Sequence, residues 1–317
     1  MDAQLHPMPS TTPADQGRLA RAAIRGVRRE IDGRIFAAKL AVLGLLLLVG
    51  AWLIVHGTWW GIGSGVVLTG LMYAHALELQ HEALHSIGFR GKRANVVAGV
   101  LVGLPMLSSF AGYHASHMRH HRDLGTPANR EFFDYGDQYG TQDRGRLRTA
   151  LLWGYRFSMV AHYCQFVSVL VTLAAGRPLA EEKPATLRKI RRDYAIMVAA
   201  IVGAVVVSIA MGSLFIVWFW LVPLVFVAAP AHAAIELPEH YRCETDTTDV
   251  FRNTRTIRSN WLMAWYTNGN NFHVEHHLMP SMPIVRLGAL HEVIAEREVY
   301  RHDTYRGFFR SLRRPPA

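Results

Sequence analysis

Three short segments of this chain concentrate histidine at spacings that suit metal binding. They read HEALH at 81–85, HMRHH at 117–121 and HVEHH at 273–277. Side chains three or four residues apart lie on one face of a helix, so each segment can direct two or three imidazoles toward a common point. Neutral imidazole is a good ligand for iron, zinc, copper and nickel. Three such segments in one chain predict a metal site.

Eight histidines in these segments are candidate ligands: His81, His85, His117, His120, His121, His273, His276 and His277. Eight ligands exceed what one ion needs, since zinc normally takes four. They suffice for two ions that each keep an open position. Two other readings remain open. His81-Glu82-x-x-His85 is also the signature of zinc metalloproteases, and a metal transporter would use similar ligands, although within the bilayer.

Long apolar helices must position these segments. Transmembrane spans are predicted at about 36–56, 64–85, 194–211 and 213–236, because about 20 apolar residues in a helix cross the hydrocarbon core. The first run, from Phe36, is too long for the apolar part of a signal peptide. The stretch 94–110 is predicted to be half-inserted or to lie along the membrane surface, and 151–175 is predicted to be amphipathic and to lie at the membrane surface rather than span it.

The distribution of charge predicts the topology. The two hairpin tips, near 57–63 and 211–213, carry no charged residue. Lysine and arginine concentrate in the other connections, at 18–34, 90–93, 142–148, 177–192 and 252–258. The positive-inside rule then places both termini and all three histidine segments on the cytosolic side. The net charge of +10 would suggest nucleic acid in a soluble protein, but here it flanks apolar spans, so no nucleic acid partner is expected.

These features predict an all-α integral membrane protein. Four transmembrane helices form two hairpins, and a cytosolic helical cap holds the pair of metal ions. Three regions are expected: a basic cytosolic N-terminus over 1–35 that is disordered through about residue 16, a membrane domain over 36–290, and a cytosolic tail over 291–317. The two cysteines, Cys164 and Cys243, form no metal-binding pair and no disulfide framework.

The chain resembles the membrane fatty acid desaturase superfamily in the order of the three segments and in their spacing from the spans. Residues near them also resemble the superfamily: Glu239-His240-Tyr241, Thr254-Arg255-Thr256 and Leu278-Met279-Pro280. The resemblance covers 36–290; it is specific for the superfamily and weak for the substrate. It implies two iron ions (Fe2+/Fe3+) held by the eight histidines and a ninth. His240 is the expected ninth ligand, and His232, deeper in the span, is its rival.

The activity that the resemblance implies is O2-dependent desaturation of a fatty acyl chain that arrives from membrane lipids. The alternative is hydroxylation or another oxidation of a lipid, carotenoid or alkyl compound. Without a cysteine cluster, electrons are expected from a separate ferredoxin-like carrier, for which Arg252, Arg255 and Arg258 offer a basic docking surface.

Acidic side chains that hold imidazole N–H groups often support metal ligands. The candidates for such a supporting role are Glu82, Asp123, Glu236 and Glu275, together with His114 and His232. In some members of the superfamily an asparagine reaches one iron through water. Asn268, Asn270 and Asn271 precede the third segment, and which of them has this role is left open.

Overall fold

The computed structural model of the protein describes residues 10–23, 25, 30–129, 145–180 and 182–313. Arg28 and Arg29 of the basic N-terminal segment, and 142–144 of one predicted cytosolic loop, lie outside the described residues. The chain divides into two compact units. The span unit comprises Asp32–Ser116 and Gly145–Ala234, and the polar unit comprises Met1–Ile31, His117–Arg144 and Ile235–Ala317.

Helices dominate the described chain. In order they are α1 (Pro13–Ala23), α2 (Gly33–His56), α3 (Trp59–Leu84), α4 (Lys92–Gly103), α5 (Phe110–Asp123), α6 (Gly145–Phe157), α7 (Val160–Ala174), α8 (Pro184–Ala210), α9 (Ala229–Glu236), α10 (Val250–Asn253), α11 (Trp261–Tyr266), α12 (His273–Leu278), α13 (Leu287–Ile294) and α14 (Tyr305–Ser311). Short 3-10 turns lie at Leu237–Glu239, Ile284–Arg286 and Ala295–Arg297. Two strands, β1 (Arg255–Ile257) and β2 (Tyr300–His302), pair in parallel.

Four helical stretches are long and apolar enough to cross a membrane: α2, α3, α8 and Val217–Glu239. Their apolar side chains point outward. Leu48 is 70% exposed, Ile209 74% and Phe226 73%, an arrangement that suits contact with lipid tails rather than water. Helices α6 and α7 meet at a bend of 55°. Together they are also long and apolar enough to cross a membrane, as a broken span or a re-entrant loop. These features indicate a membrane protein.

The fourth apolar stretch departs from the regular helix expected over 213–236. Two π-helical turns, Val217–Leu221 and Leu224–Ala228, flank Pro223, and α9 follows them. Proline has no N–H to donate and its ring clashes with the preceding turn. The helix widens into one π-helical turn on either side of Pro223. Single turns are the form in which π-helix usually occurs inside α-helices.

Two glycines allow α2 and α3 to pack closely within the span unit. A Cβ built on Gly65 of α3 would lie 2.7 Å from the carbonyl oxygen of Gly50 in α2 and 2.9 Å from Ile54 Cγ1. The backbones therefore approach where neither helix carries a side chain, as is common between membrane helices. Helix α4 and the second π-helical turn also pack on α3.

The N-terminal expectation is wrong for the residues just after Ser10. A helix, not disordered chain, begins at Pro13. Thr12 and Asp15 form a reciprocal capping pair, in which the Asp15 N–H donates to Thr12 Oγ1 and the Thr12 N–H donates to the Asp15 carboxylate. Proline at the first helical position is pre-set for a helix. The Thr11 N–H also donates to Asp249 Oδ2 at 2.6 Å, which ties this segment to the polar unit.

The all-α expectation is wrong in one respect, because β1 and β2 form a small parallel ladder in the polar unit. Arg255 pairs with Tyr300 and Ile257 with His302. All three residues of β1 are buried, and strand β1 packs against α12, the helix of the third histidine segment. Thr256 and Ile257 are β-branched and favour extended backbone.

A substitution at Gly65 tests the packing of α2 on α3. We expect Gly65→Ala to lower the stability of the purified protein by about 1–3 kcal/mol, because the added methyl group meets the Gly50 carbonyl. Gly63→Ala, two residues earlier in the same helix, has open space around the new methyl group and should be neutral or slightly stabilising. Thermal unfolding in detergent measures both variants; equal midpoints would contradict the close packing.

Candidate metal centre

Seven histidines converge in the polar unit from three parts of the chain. The last turns of α5 supply His117, His120 and His121, the residue after the Leu237–Glu239 turn supplies His240, and α12 supplies His273, His276 and His277. Within α5 and α12 the separations of three and four residues put these rings on one helical face. The seven imidazoles fall into two groups, a three-histidine group and a four-histidine group.

The three-histidine group consists of His117, His121 and His276. His121 Nε2 lies 2.9 Å from His117 Nε2 and 3.1 Å from His276 Nε2. His117 and His276 are buried, and His121 is half-buried. One helical turn of α5 therefore places two ring nitrogens beside a third from α12.

The four-histidine group consists of His120, His240, His273 and His277. The Nε2 atoms are 3.3 Å apart for His120 and His277, 3.1 Å for His277 and His273, and 3.2 Å for His273 and His240. Burial, reinforced by the neighbouring imidazoles, lowers the pKa of His277 well below its ordinary value. His277 is therefore neutral and offers a lone pair.

Hydrogen bonds on the far side of the rings determine which nitrogen carries the proton. His240 Nδ1 lies 3.0 Å from the carbonyl oxygen of Asn253, which can only accept, so in the neutral ring Nδ1 carries the proton and Nε2 has the lone pair. His120 Nδ1 faces Asn129 Oδ1 at 3.3 Å in the same manner. The Nε2 lone pairs of these rings consequently point at one another inside the protein.

This arrangement fits a bound cation. Two ligand atoms bonded to one ion at about 2.0–2.1 Å, at tetrahedral or right angles, are separated by about 2.8–3.4 Å. The Nε2 separations in both groups, 2.9–3.3 Å, lie in that range. Facing lone pairs repel when nothing lies between them, and a metal ion removes the repulsion for a whole group at once. Both groups can therefore hold a metal ion.

His81 and His85 belong to the span unit, at the end of α3. Their ring centroids are 5.0 Å apart. Burial first, and then the neighbouring imidazoles of His81 and His114, lower the pKa of His85 to about 2. The first histidine segment thus places two imidazoles side by side at the end of α3.

Comparison with known proteins gives the family. The family model for fatty acid desaturases matches residues 57–309, which is most of the chain. This protein belongs to the fatty acid desaturase family. A curated relative, the dihydrorhizobitoxine desaturase of Bradyrhizobium elkanii, is 28% identical over 236 residues. That alignment covers 71% of this chain and 65% of the relative, so the chain spans just under two thirds of the relative's length.

The residues expected to support the ligands have varied surroundings in this protein. Glu82 is buried in an ion pair with Lys39 at 2.8 Å. Asp123 forms a salt bridge with Arg122, whose side chain is exposed. Glu236 is half-buried in the last turn of α9.

His232 and His114, the two histidines considered for a supporting role, also differ in their surroundings. His232 Nδ1 lies 3.7 Å from Glu78 Oε1 within the span unit, whereas His240 lies inside the four-histidine group. His114 is exposed on α5, and its pKa is lowered by partial burial and by the nearby charge of Lys189.

Glu275 faces away from the metal-binding imidazoles and into a buried ion network. His291 Nδ1 lies 2.5 Å from Glu275 Oε1 and 3.0 Å from Glu298 Oε1, and Thr256 Oγ1 donates to Glu275 Oε2 at 2.7 Å. Burial alone would lower the pKa of His291, but its bonds to the two carboxylates outweigh that effect and raise the pKa to about 10. Sequence reasoning gave Glu275 a supporting role and His291 none. Nothing local to His291 signals this contact.

Two further positions correct the sequence-based expectations. Arg255 does not present a docking surface: it is buried, and its Nη1 donates to the carbonyl oxygens of Pro238 and Tyr241. Arg252 is paired with Glu244 at 2.6 Å, which leaves Arg258 as the exposed member of the three.

Among the three asparagines, Asn270 is the one placed at a ligand candidate. Its Oδ1 lies 3.2 Å from His273 Nδ1. Asn271 instead donates to the carbonyl oxygen of Ile257, which ties the turn to β1. Gly269, directly before Asn270, has φ +83°, and a Cβ there would lie 2.8 Å from Ile284 Cγ2, so glycine is required at this position.

Replacement of His291 tests the buried network. We expect His291→Leu to destabilise the protein by about 3–5 kcal/mol, because the buried carboxylate of Glu275 would lose its cation. The control is His302→Leu: burial lowers the pKa of His302 to about 4, so this ring is neutral and its loss should cost little. Thermal unfolding distinguishes the two; a variant at His291 as stable as the one at His302 would refute the ion network.

The same network predicts a pH dependence. His291 has a pKa of about 10 in the folded protein and about 6.5 when unfolded, so its stabilisation is complete below pH 6.5 and is lost as the pH rises to 10. Burial raises the pKa of Glu298 to about 8, so ionisation of Glu298 also lowers stability as the pH rises toward 8. Unfolding midpoints should therefore fall as the pH rises from about 6.5 to about 10. A flat wild-type profile would contradict this.

Proposed function

We propose that this protein is an O2-dependent di-iron desaturase that introduces a double bond into a fatty acyl chain, with electrons from a separate carrier. The observation that carries the proposal is the convergence of imidazole Nε2 atoms in two groups. The family and the desaturase relative support oxidative chemistry at such a site.

In this proposal nine histidines hold the two ions. They are His81, His85 and the seven histidines of the two groups, and the four-histidine group holds one of the ions. Imidazole is compatible with iron. When bound, the iron pair supplies the oxidising power that removes hydrogen from an unactivated C–H bond, which no amino-acid side chain can do.

The chain's own contribution is to fix the ligands and shape the surroundings. Asn129, the Asn253 carbonyl and Asn270 hold the Nδ1 protons of three imidazoles outward, which keeps their Nε2 lone pairs turned inward. The reaction balances as one O2, two electrons and two protons consumed, two hydrogens removed from adjacent carbons, and two waters formed. The electrons come from the carrier, for which a ferredoxin-like protein is suitable.

The proposed topology follows from the charge pattern. Two hairpins of spans place both termini and the histidine segments on the cytosolic side, where a soluble electron carrier can reach them. The acyl substrate enters from the membrane. The four apolar helices with outward-facing side chains support the membrane location.

Two other activities would use some of the same residues. Hydroxylation or another oxidation of a lipid, carotenoid or alkyl compound uses the same site, and the name of the B. elkanii relative supports double-bond formation over it. A zinc protease would need Glu82 as its general base, yet Glu82 is buried in an ion pair with Lys39. A protease would also leave the four-histidine group without a role.

Expression in a host followed by lipid analysis tests the activity. Cells that express the wild-type protein should accumulate an acyl product with two hydrogens fewer than its precursor. His277→Ala should reduce the product to background, because it removes a ligand, while His56→Ala, at the end of α2 and outside both groups, should leave it unchanged.

The mass of the product distinguishes desaturation from hydroxylation. A product with one additional oxygen would establish the hydroxylase alternative. Product formation that survives His277→Ala would overturn the proposed site.

A further inference from the structure

A carboxylate reaches the four-histidine group. Glu239 ends the 3-10 turn immediately before His240. Its Oε2 lies 3.1 Å from His273 Nε2, and its side chain is only 15% exposed. Its Oε1 accepts a hydrogen bond from Asn270 Nδ2 at 2.8 Å. From the sequence, Glu239 was only a neighbour of His240 and was assigned no role.

Asn270 determines how His273 is protonated. Because the Asn270 amide nitrogen donates to Glu239, its oxygen is the atom that faces His273 Nδ1, at 3.2 Å. An amide oxygen only accepts, so His273 Nδ1 carries the proton. In the neutral ring, Nε2 then has a lone pair and no hydrogen. In that form of the ring, Oε2 of Glu239 lies 3.1 Å from the nitrogen that bears the lone pair.

One proton cannot relieve these contacts. His273 Nε2 is also 3.2 Å from His240 Nε2 and 3.1 Å from His277 Nε2. A proton on His273 Nε2 could be donated well to one of the three neighbours. A divalent cation attracts every one of these donor atoms at once, and 3.1 Å is the separation of two ligand atoms at about 2.1–2.2 Å from one ion and near a right angle.

The backbone around Glu239 is held in place independently of any metal. The buried Arg255 donates to the carbonyl oxygens on both sides of Glu239 and His240, at Pro238 (2.5 Å) and Tyr241 (2.7 Å). Its guanidinium also lies over the rings of Tyr300 (5.5 Å) and Phe308 (4.8 Å). The carboxylate and the imidazole of this turn are thus presented to the group together.

We propose that Glu239 is an oxygen ligand of the ion held by the four-histidine group, an inference that rests on the proposed function. The carboxylate makes the two metal positions unequal, since one then carries an anionic ligand. Negative charge beside the ion stabilises its more oxidised state. The ligand set of this chain is therefore nine imidazoles and one carboxylate.

Iron retention tests the role of Glu239. Iron is counted per chain, and its release to a chelator is timed, for the wild type, Glu239→Gln and Glu239→Asp. Glutamine keeps the shape and the bond to Asn270 but removes the charge and can donate its N–H to His273 Nε2. We expect one of two ions to leave at least about tenfold faster in Glu239→Gln, with aspartate intermediate.

Glu244→Gln is the matched control. It removes a half-buried carboxylate of the same unit that pairs with Arg252, and it should release iron as the wild type does. A wild type that binds no iron would overturn the proposed function itself. A wild type with two ions, and a Glu239→Gln variant that releases both at wild-type rates, would overturn the role of Glu239 alone.

An infrared difference spectrum keeps the inference testable if the glutamine variant does not fold. Metal-free and iron-loaded wild-type protein are compared, with glutamate labelled by carbon-13. A carboxylate that becomes a ligand changes its stretching frequencies, so glutamate bands should shift on loading. Absence of any glutamate band in the difference spectrum would overturn the proposal.

Discussion

Repulsion between buried, inward-facing nitrogen lone pairs is the constraint on which the polar unit depends. Burial keeps His277 neutral, and the outer hydrogen bonds of His120, His240 and His273 leave their Nε2 atoms without hydrogens. Such a group is unfavourable by itself and favourable around a cation. A cation that binds these nitrogens would therefore stabilise the folded unit.

The third histidine segment shows how the scaffold meets this constraint. Helix α12 has six residues, too few to be stable alone. One face bears the three histidines. The other is anchored: the Val274 N–H donates to Thr256 Oγ1 at 3.2 Å, and Glu275 accepts from Thr256 and pairs with His291. Strand β1 and helix α13 therefore hold the ligands at their positions without contacting the metal face.

Local spacing made the histidine segments and the four apolar stretches predictable, because helical periodicity and hydropathy depend on consecutive residues. His240 was expected from the resemblance and not from spacing. The Thr12-Pro13-x-Asp15 cap was also readable and was missed. The contacts of His240 with the Asn253 carbonyl, of Glu275 with His291, and of Arg255 with Pro238 were not predictable. Each joins residues whose proximity depends on turns and tertiary packing, which no repeating pattern records.

The proposed function depends on two iron ions bound by the converging imidazoles. X-ray absorption at the iron edge, combined with metal counting on the purified protein, tests it most directly. We expect about two irons per chain with a coordination shell dominated by imidazole nitrogen. One zinc per chain and no iron would contradict the claim.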